Sequence, residues 1–214
     1  MQRNRRRVAQ QAPGLVNIGP GQRNVSLLFR LLQAPGSAAG GALEKVTAKD
    51  LQDKLENAER LFGQKKYDDA IGVYRSIMSA AEPLAFLNLQ IAAAYVAKND
   101  LARARRAYED LLKVDATNER AIVGLAELRQ KDGDVQGAQD FLLKAAEADG
   151  TGREVFMALG ELSAGAGRPD DASNWFTKAS TADPYWGRPL YRLAQLASAR
   201  GDVPAANGYM QRVN

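Results

Sequence analysis

The sequence contains no cysteine and no histidine. The first absence excludes disulfides, thiol nucleophiles and thiolate metal sites, and it leaves the redox compartment unreadable. The second removes the commonest general base and the commonest metal ligand, so a zinc centre or a histidine-based triad is excluded by inventory, and no cofactor is expected. No apolar run approaches the roughly 18 residues that a membrane-spanning helix needs. The basic start MQRNRRRVAQQAPG does not run on into the apolar stretch that a secretory signal requires. As written the chain fits the cytoplasm, or the periplasm if it is a piece of a longer exported protein.

What is present is unevenly charged. Residues 1–50 carry eight Lys/Arg against Glu44 and Asp50, a balance of +6, while the remainder carries 21 basic and 23 acidic residues, a balance of −2. The basic character therefore belongs to an N-terminal arm, 1–33, whose first 21 residues hold too little apolar material to order themselves. Nucleic acid or anionic membrane would have to be bound by Arg5, Arg6 and Arg7, and one short cluster neutralises few phosphates. Within the arm, the segment 24–33, NVSLLFRLLQ, alternates as a strand at Val25, Leu27, Phe29 and Leu31, and fits a short helix at Val25, Leu28, Phe29 and Leu32. It is too short to decide between them. Its LFRLL run matches an LxxLL recognition helix, a pattern that leucine-rich sequences also produce by chance. Followed by Gln33-Ala34-Pro35-Gly36, it also resembles the last strand of a carboxypeptidase-regulatory-like β-sandwich, which would make this chain the C-terminal part of a longer protein. The stretch 34–46, beginning APGSAAGGA, is a flexible linker.

From Thr47, a capping residue with Asp50 three positions on, a repeat array runs over 47–214. Ala70, Ala104, Ala138, Ala172 and Ala206 stand 34 residues apart, each followed four residues later by a large apolar residue: Tyr74, Tyr108, Leu142, Phe176 and Met210. Each unit reads as two helices, in repeats of about 51–84, 85–118, 119–152, 153–186 and 187–214. The first helix pairs a large residue with a small one (Ile91-Ala92, Leu125-Ala126, Leu159-Gly160, Leu193-Ala194), and the small residue lets the second helix approach. The turns hold Lys65-Lys66, Asn99-Asp100, Gly133-Asp134, Gly167-Arg168 and Gly201-Asp202, residues that end one helix and cap the next. The second helix closes on Asp115, Asp149 and Asp183-Pro184.

This pattern resembles the tetratricopeptide repeat family, in a bacterial form, over Leu51–Asn214. Asn57, Arg129 and Ser163 depart from the family's usual residues, and Pro184 alone preserves the terminal proline. The resemblance implies an all-α fold, a right-handed α-solenoid whose concave face is lined by the first helix of every repeat. It also implies a non-enzymatic scaffold that binds a protein or peptide segment there. Four stripes project inward at 34-residue steps: Leu55, Leu89, Val123, Met157 and Tyr191; Glu59, Ala93, Glu127, Glu161 and Gln195; Gln52, Phe86, Arg120, Glu154 and Arg188; and Phe62, Val96, Gln130, Ala164 and Ser198. The expected groove residues are Leu55, Glu59, Phe62, Phe86, Leu89, Val123, Glu127, Met157, Glu161, Tyr191 and Arg192. An apolar stripe edged by carboxylates suits a ligand with large apolar and basic residues. Where some members carry Lys and Asn to clamp a chaperone's C-terminal carboxylate, this chain has Leu55, Glu59, Gln90, Arg120 and Gly124, so that clamp is absent.

Glu127 and Glu161 would stand roughly 9–10 Å apart on adjacent helices, near the upper limit for an inverting glycosidase pair. With no deep apolar cleft to raise one pKa, they read as solvated groove charge. Two further readings follow from the pattern. The segment 24–33 carries the ligand chemistry just described, and a linker of about 14 residues, with a reach of roughly 20 Å, lets it dock in cis on the first two repeats. The fifth repeat has no polar helix after it to cover Leu196, Val203, Ala206 and Met210, so self-association through that end, or a continuation of the chain, is expected. Two rivals to peptide capture remain: binding of nucleic acid or anionic membrane by the basic arm, and a module of a larger extracytoplasmic protein that assembles with copies of itself.

Overall fold

A computed structural model of the chain describes residues 48–79, 86–148 and 152–213. The basic arm, the segment 24–33, the linker, Thr47 and Asp149 lie outside the described residues. Within them are ten α-helices and no strand: α1 (Ala48–Gly63), α2 (Tyr67–Met78), α3 (Asn88–Ala97), α4 (Leu101–Val114), α5 (Glu119–Lys131), α6 (Val135–Ala146), α7 (Arg153–Gly165), α8 (Pro169–Ala182), α9 (Gly187–Ala199) and α10 (Val203–Gln211). Odd and even helices pack as consecutive hairpins, and every second helix also touches the first helix of the next hairpin. The result is an α-solenoid, whose core runs from hairpin to hairpin instead of closing on one centre.

The turns inside the hairpins share one backbone solution. Lys65, Asn99, Gly133, Gly167 and Gly201 all have positive φ, between 61° and 84°. Asp100, Asp134 and Asp202 then cap α4, α6 and α10 by accepting from the backbone N–H three residues on. Gly and Asn tolerate the left-handed region, whereas Lys65 pays a steric cost of about 1 kcal/mol there. Lys65→Gly is therefore expected to stabilise the protein by about that amount. Asn99→Gly, relieving less strain, should gain less. Urea midpoints of the two variants check this, and a loss of stability in Lys65→Gly would refute it.

Small residues set the close contacts. Ala58, Ala92, Ala126 and Ala194 are buried where first and second helices meet. At Gly160 an added Cβ would stand 2.4 Å from the Phe176 ring, and at Gly124 it would stand 2.4 Å from the Tyr108 ring. Gly160 thus seats the second helix of its own hairpin, while Gly124 seats an aromatic from the hairpin before. The first helices also carry a face toward the preceding hairpin: Leu87 and Ala94, Ala121 and Leu128, Val155 and Leu162 are all buried. In α1 the same positions are Asp53 and Arg60, both exposed, and the departure Asn57 accepts a hydrogen bond from Arg60 at 2.7 Å. At the other end α10 buries no residue, and Val203 and Met210 are 60% and 42% exposed.

Side-chain bridges tie each hairpin to the next along the turn edge. Lys98 pairs with Asp68, Arg105 with Asp132, Arg168 with Gln139 and Arg200 with Asp170, at separations of 27 to 30 residues.

Candidate functional site

The first helices face one side of the solenoid, and α5 touches α7 directly there. Between them, with the start of α9, opens a cleft of about 380 Å3 lined by Val123, Glu127, Gln130, Glu154, Met157, Ala158, Glu161, Trp186 and Arg188, among others. Four of the residues expected from the sequence, Val123, Glu127, Met157 and Glu161, line this one cleft. Phe62, Phe86, Leu89, Tyr191 and Arg192 stand outside it, as do Leu55 and Glu59.

The apolar stripe is not a continuous surface track. Leu55 is fully buried and Met157 is 3% exposed, Leu89 and Val123 are half-buried, and Tyr191 is 47% exposed. Apolar side chains at this register are drawn into the packing of neighbouring elements, so only part of the stripe faces a ligand. Met157 still reaches the floor of the cleft. Phe62 is half-buried with its ring edge-on to Tyr67 at 5.3 Å, and Phe86 is half-buried in the core of the first two hairpins.

The acidic stripe divides into three situations. Glu161 is half-buried and held by Arg192 at 2.6 Å and by Arg188 at 3.7 Å. Arg192 is in turn fixed by Gln195 at 2.6 Å and lies over the Phe176 ring, so it serves the scaffold more than the groove. Glu127 is exposed in the cleft and, among the described residues, has no ion-pair or hydrogen-bond partner. Burial first, then the Glu127 carboxylate, raises the pKa of the nearby Tyr108 phenol.

Glu59 is the third case. Its Oε1 is buried with no hydrogen-bond partner, and burial, reinforced by the Glu56 carboxylate, raises its pKa above the ordinary glutamate value. The same surroundings, burial first and Glu59 second, push the Tyr74 phenol up to about 12. Folded Glu59 holds its proton more tightly than the unfolded chain does, so stability falls as pH rises from the ordinary glutamate value through the raised one. Glu59→Gln removes that slope. The variant is expected to be more stable than the parent at about pH 7 and level with it below about pH 4. Urea titrations at both pH values measure the difference, and an offset independent of pH would overturn the assignment.

Three features of the site carry no local sequence signal. Glu119, in the first turn of α5, reaches the next first helix and accepts from the backbone N–H groups of Gly152 and of Glu154, the latter at 2.9 Å. It thereby caps the N-terminus of α7 from a neighbouring hairpin and sets the α5–α7 spacing. Trp186 walls the cleft from just before α9, with the Arg153 guanidinium 4.9 Å from its ring centroid. Arg153 also pairs with Asp183 and, at 3.9 Å, with Glu154. A metal centre has no counterpart among the described residues, which bring no three His, Cys, Asp or Glu together. No described helix is long and apolar enough to cross a membrane.

Stacked helical hairpins with a side-chain-lined cleft between first helices define a repeat solenoid. The model of the tetratricopeptide repeat family matches residues 95–162. Among solved structures the chain is similar to pilF of Pseudomonas aeruginosa (16% identity, 76% of this chain and 74% of that one, TM-score 0.59). It is similar also to TTC0263, a thermophilic tetratricopeptide repeat protein of Thermus thermophilus (15% identity, 76% and 89%, TM-score 0.57). A third likeness is to MamA, residues 41 to the end, of Desulfovibrio magneticus RS-1 (15% identity, 76% and 92%, TM-score 0.51). At these identities the likeness is one of fold. No curated protein matches the sequence. The period, the hairpins and the family match over 95–162 agree on an all-α solenoid of the tetratricopeptide repeat kind.

Proposed function

We propose that the protein is a non-enzymatic scaffold that binds a peptide segment of a partner protein in its concave groove, centred on the cleft between α5 and α7. The observation that carries this reading is Glu127: an unpaired carboxylate at the rim of a cleft floored by Val123, Met157 and Ala158. An unpaired charge beside an apolar floor suits a ligand that buries one large apolar residue and places a Lys or Arg next to it. Glu154 is paired with Arg120 and Arg153 and Glu161 with Arg188 and Arg192, so among the described residues Glu127 is the lining carboxylate left to repel an acidic segment. The volume, about 380 Å3, suits one or two side chains and not a folded domain. Catalysis has no support here, since the Glu161 carboxylate is engaged by two arginines and no buried acid is paired with it.

Fluorescence anisotropy with three labelled peptides of equal length tests the reading: one alternating apolar and basic residues, one alternating apolar and acidic residues, and one of the basic composition with the apolar residues replaced by serine. Saturable binding of the first alone is expected. Equal binding of the first and third would reduce the groove to a nonspecific charge effect and overturn the proposal.

A further inference from the structure

A second cleft, of about 570 Å3, opens on the opposite face of α3 from the groove, between α2, α3 and α4. Three arginines line it: Arg75 from α2, and Arg103 and Arg106, one turn apart, from α4. Its inner wall includes the side chains of Tyr95 and Asn88, which are 5% and 9% exposed.

The charge in this cleft is not balanced. Arg103 is paired with Asp100 at 2.9 Å. Arg75 donates to the Tyr95 hydroxyl at 3.1 Å, a neutral partner, and Arg106 has no ion-pair or hydrogen-bond partner among the described residues. Asp110, the one lining carboxylate, is engaged by Lys113 at 2.7 Å. Among the described residues two guanidinium charges are thus left without a carboxylate partner.

The repeat supplies a second observation. Positions that fold the hairpins carry similar residues at 34-residue steps, and these three arginines do not recur. Arg75 corresponds to Glu109, Leu143 and Thr177; Arg103 to Asp69, Gly137 and Asp171; Arg106 to Gly72, Asp140 and Asn174. No hairpin needs arginine at these places to fold, yet all three converge on one cleft.

We propose that this cleft is a binding site for a phosphate monoester dianion. Two uncompensated guanidiniums match its charge, their planar donor forks match its oxygens, and Tyr95 supplies a rigid ring with its hydroxyl already held by Arg75. The monoester could be carried by a small molecule or by a phosphorylated peptide, which share this chemistry. The site stands apart from the groove and does not depend on the peptide reading.

Isothermal titration of the full chain with phenyl phosphate and with a short phosphoserine peptide, each against its unphosphorylated form, tests the assignment. Saturable binding of at least one phosphorylated probe is expected, weakening below about pH 6 as the monoester loses its second charge. If phenyl phosphate binds as well as the peptide, the source is a small molecule; if the peptide binds much more tightly, it is a phosphoprotein. Arg106→Gln changes an exposed side chain that holds no partner among the described residues and should leave the fold intact. It should weaken binding about tenfold, and adding Arg75→Gln should weaken it further. Affinity unchanged in Arg106→Gln, no saturable binding of either probe, or equal displacement by chloride at matched ionic strength would overturn the proposal.

Discussion

Phe176→Ala is expected to destabilise the protein by about 3–5 kcal/mol, the cost of emptying a fully buried aromatic site. The Phe176 side chain is 0% exposed and clusters with Met157, Ala172, Ala179, Leu190 and Leu193, which belong to α7, α8 and α9. Its ring therefore belongs to two interfaces at once, one inside the fourth hairpin and one with the fifth. Solenoid stability is close to a sum of hairpin and nearest-neighbour terms, so the loss stays local. Urea unfolding of the variant should split, with α7–α10 losing amide protection before α1–α4. A single transition at the parent's midpoint would show that the ring does not join the two hairpins. Gly160→Val approaches the same seat from the other side, pressing a side chain against the ring, and should cost roughly 1–3 kcal/mol.

The second large effect concerns the groove. Glu127→Lys should weaken binding of the apolar-basic peptide roughly ten- to a hundredfold, because it removes the lining carboxylate that is unpaired among the described residues and installs a repulsive charge beside the apolar floor. Glu127→Gln, which removes attraction alone, should cost less. Since Glu127 is exposed and makes no contact that holds the fold, both variants should unfold at the parent's urea midpoint. Anisotropy titrations of the two variants separate the outcomes, and equal affinities in parent and Glu127→Lys would remove Glu127 from the site.

What could be read in advance, and what could not, divides by range along the chain. The hairpin turns were legible because Asn99, Gly133, Gly167 and Gly201 supply the left-handed residue and Asp100, Asp134 and Asp202 the cap, all within a few positions. Lys65 was legible by period alone, since its own chemistry argues against that conformation. The small residues at helix contacts were equally local. The groove was half legible. A leucine or methionine at an inward register satisfies either a ligand or a neighbouring element, and Leu55 and Met157 went to the core. Glu119 capping α7 from 33 to 35 residues away, and Trp186 turning back over the cleft, depend on how hairpins stack, which no window of sequence reports. The convergence of Arg75, Arg103 and Arg106 is of the same kind: the arginines were visible, their meeting was not.

The bridges along the turn edge have a mechanical meaning. Lys98 with Asp68, Arg105 with Asp132 and Arg200 with Asp170 act as hooks between successive coils of a spring, fastened at the rim and exposed to solvent. Ions in solution screen exposed hooks of this type, while the apolar seams at Phe176 and Tyr74 carry no charge for them to screen. Ionic strength should therefore act on the spring at its rim and packing at its axis, so added salt is expected to loosen the stacking of hairpins before any of them unfolds.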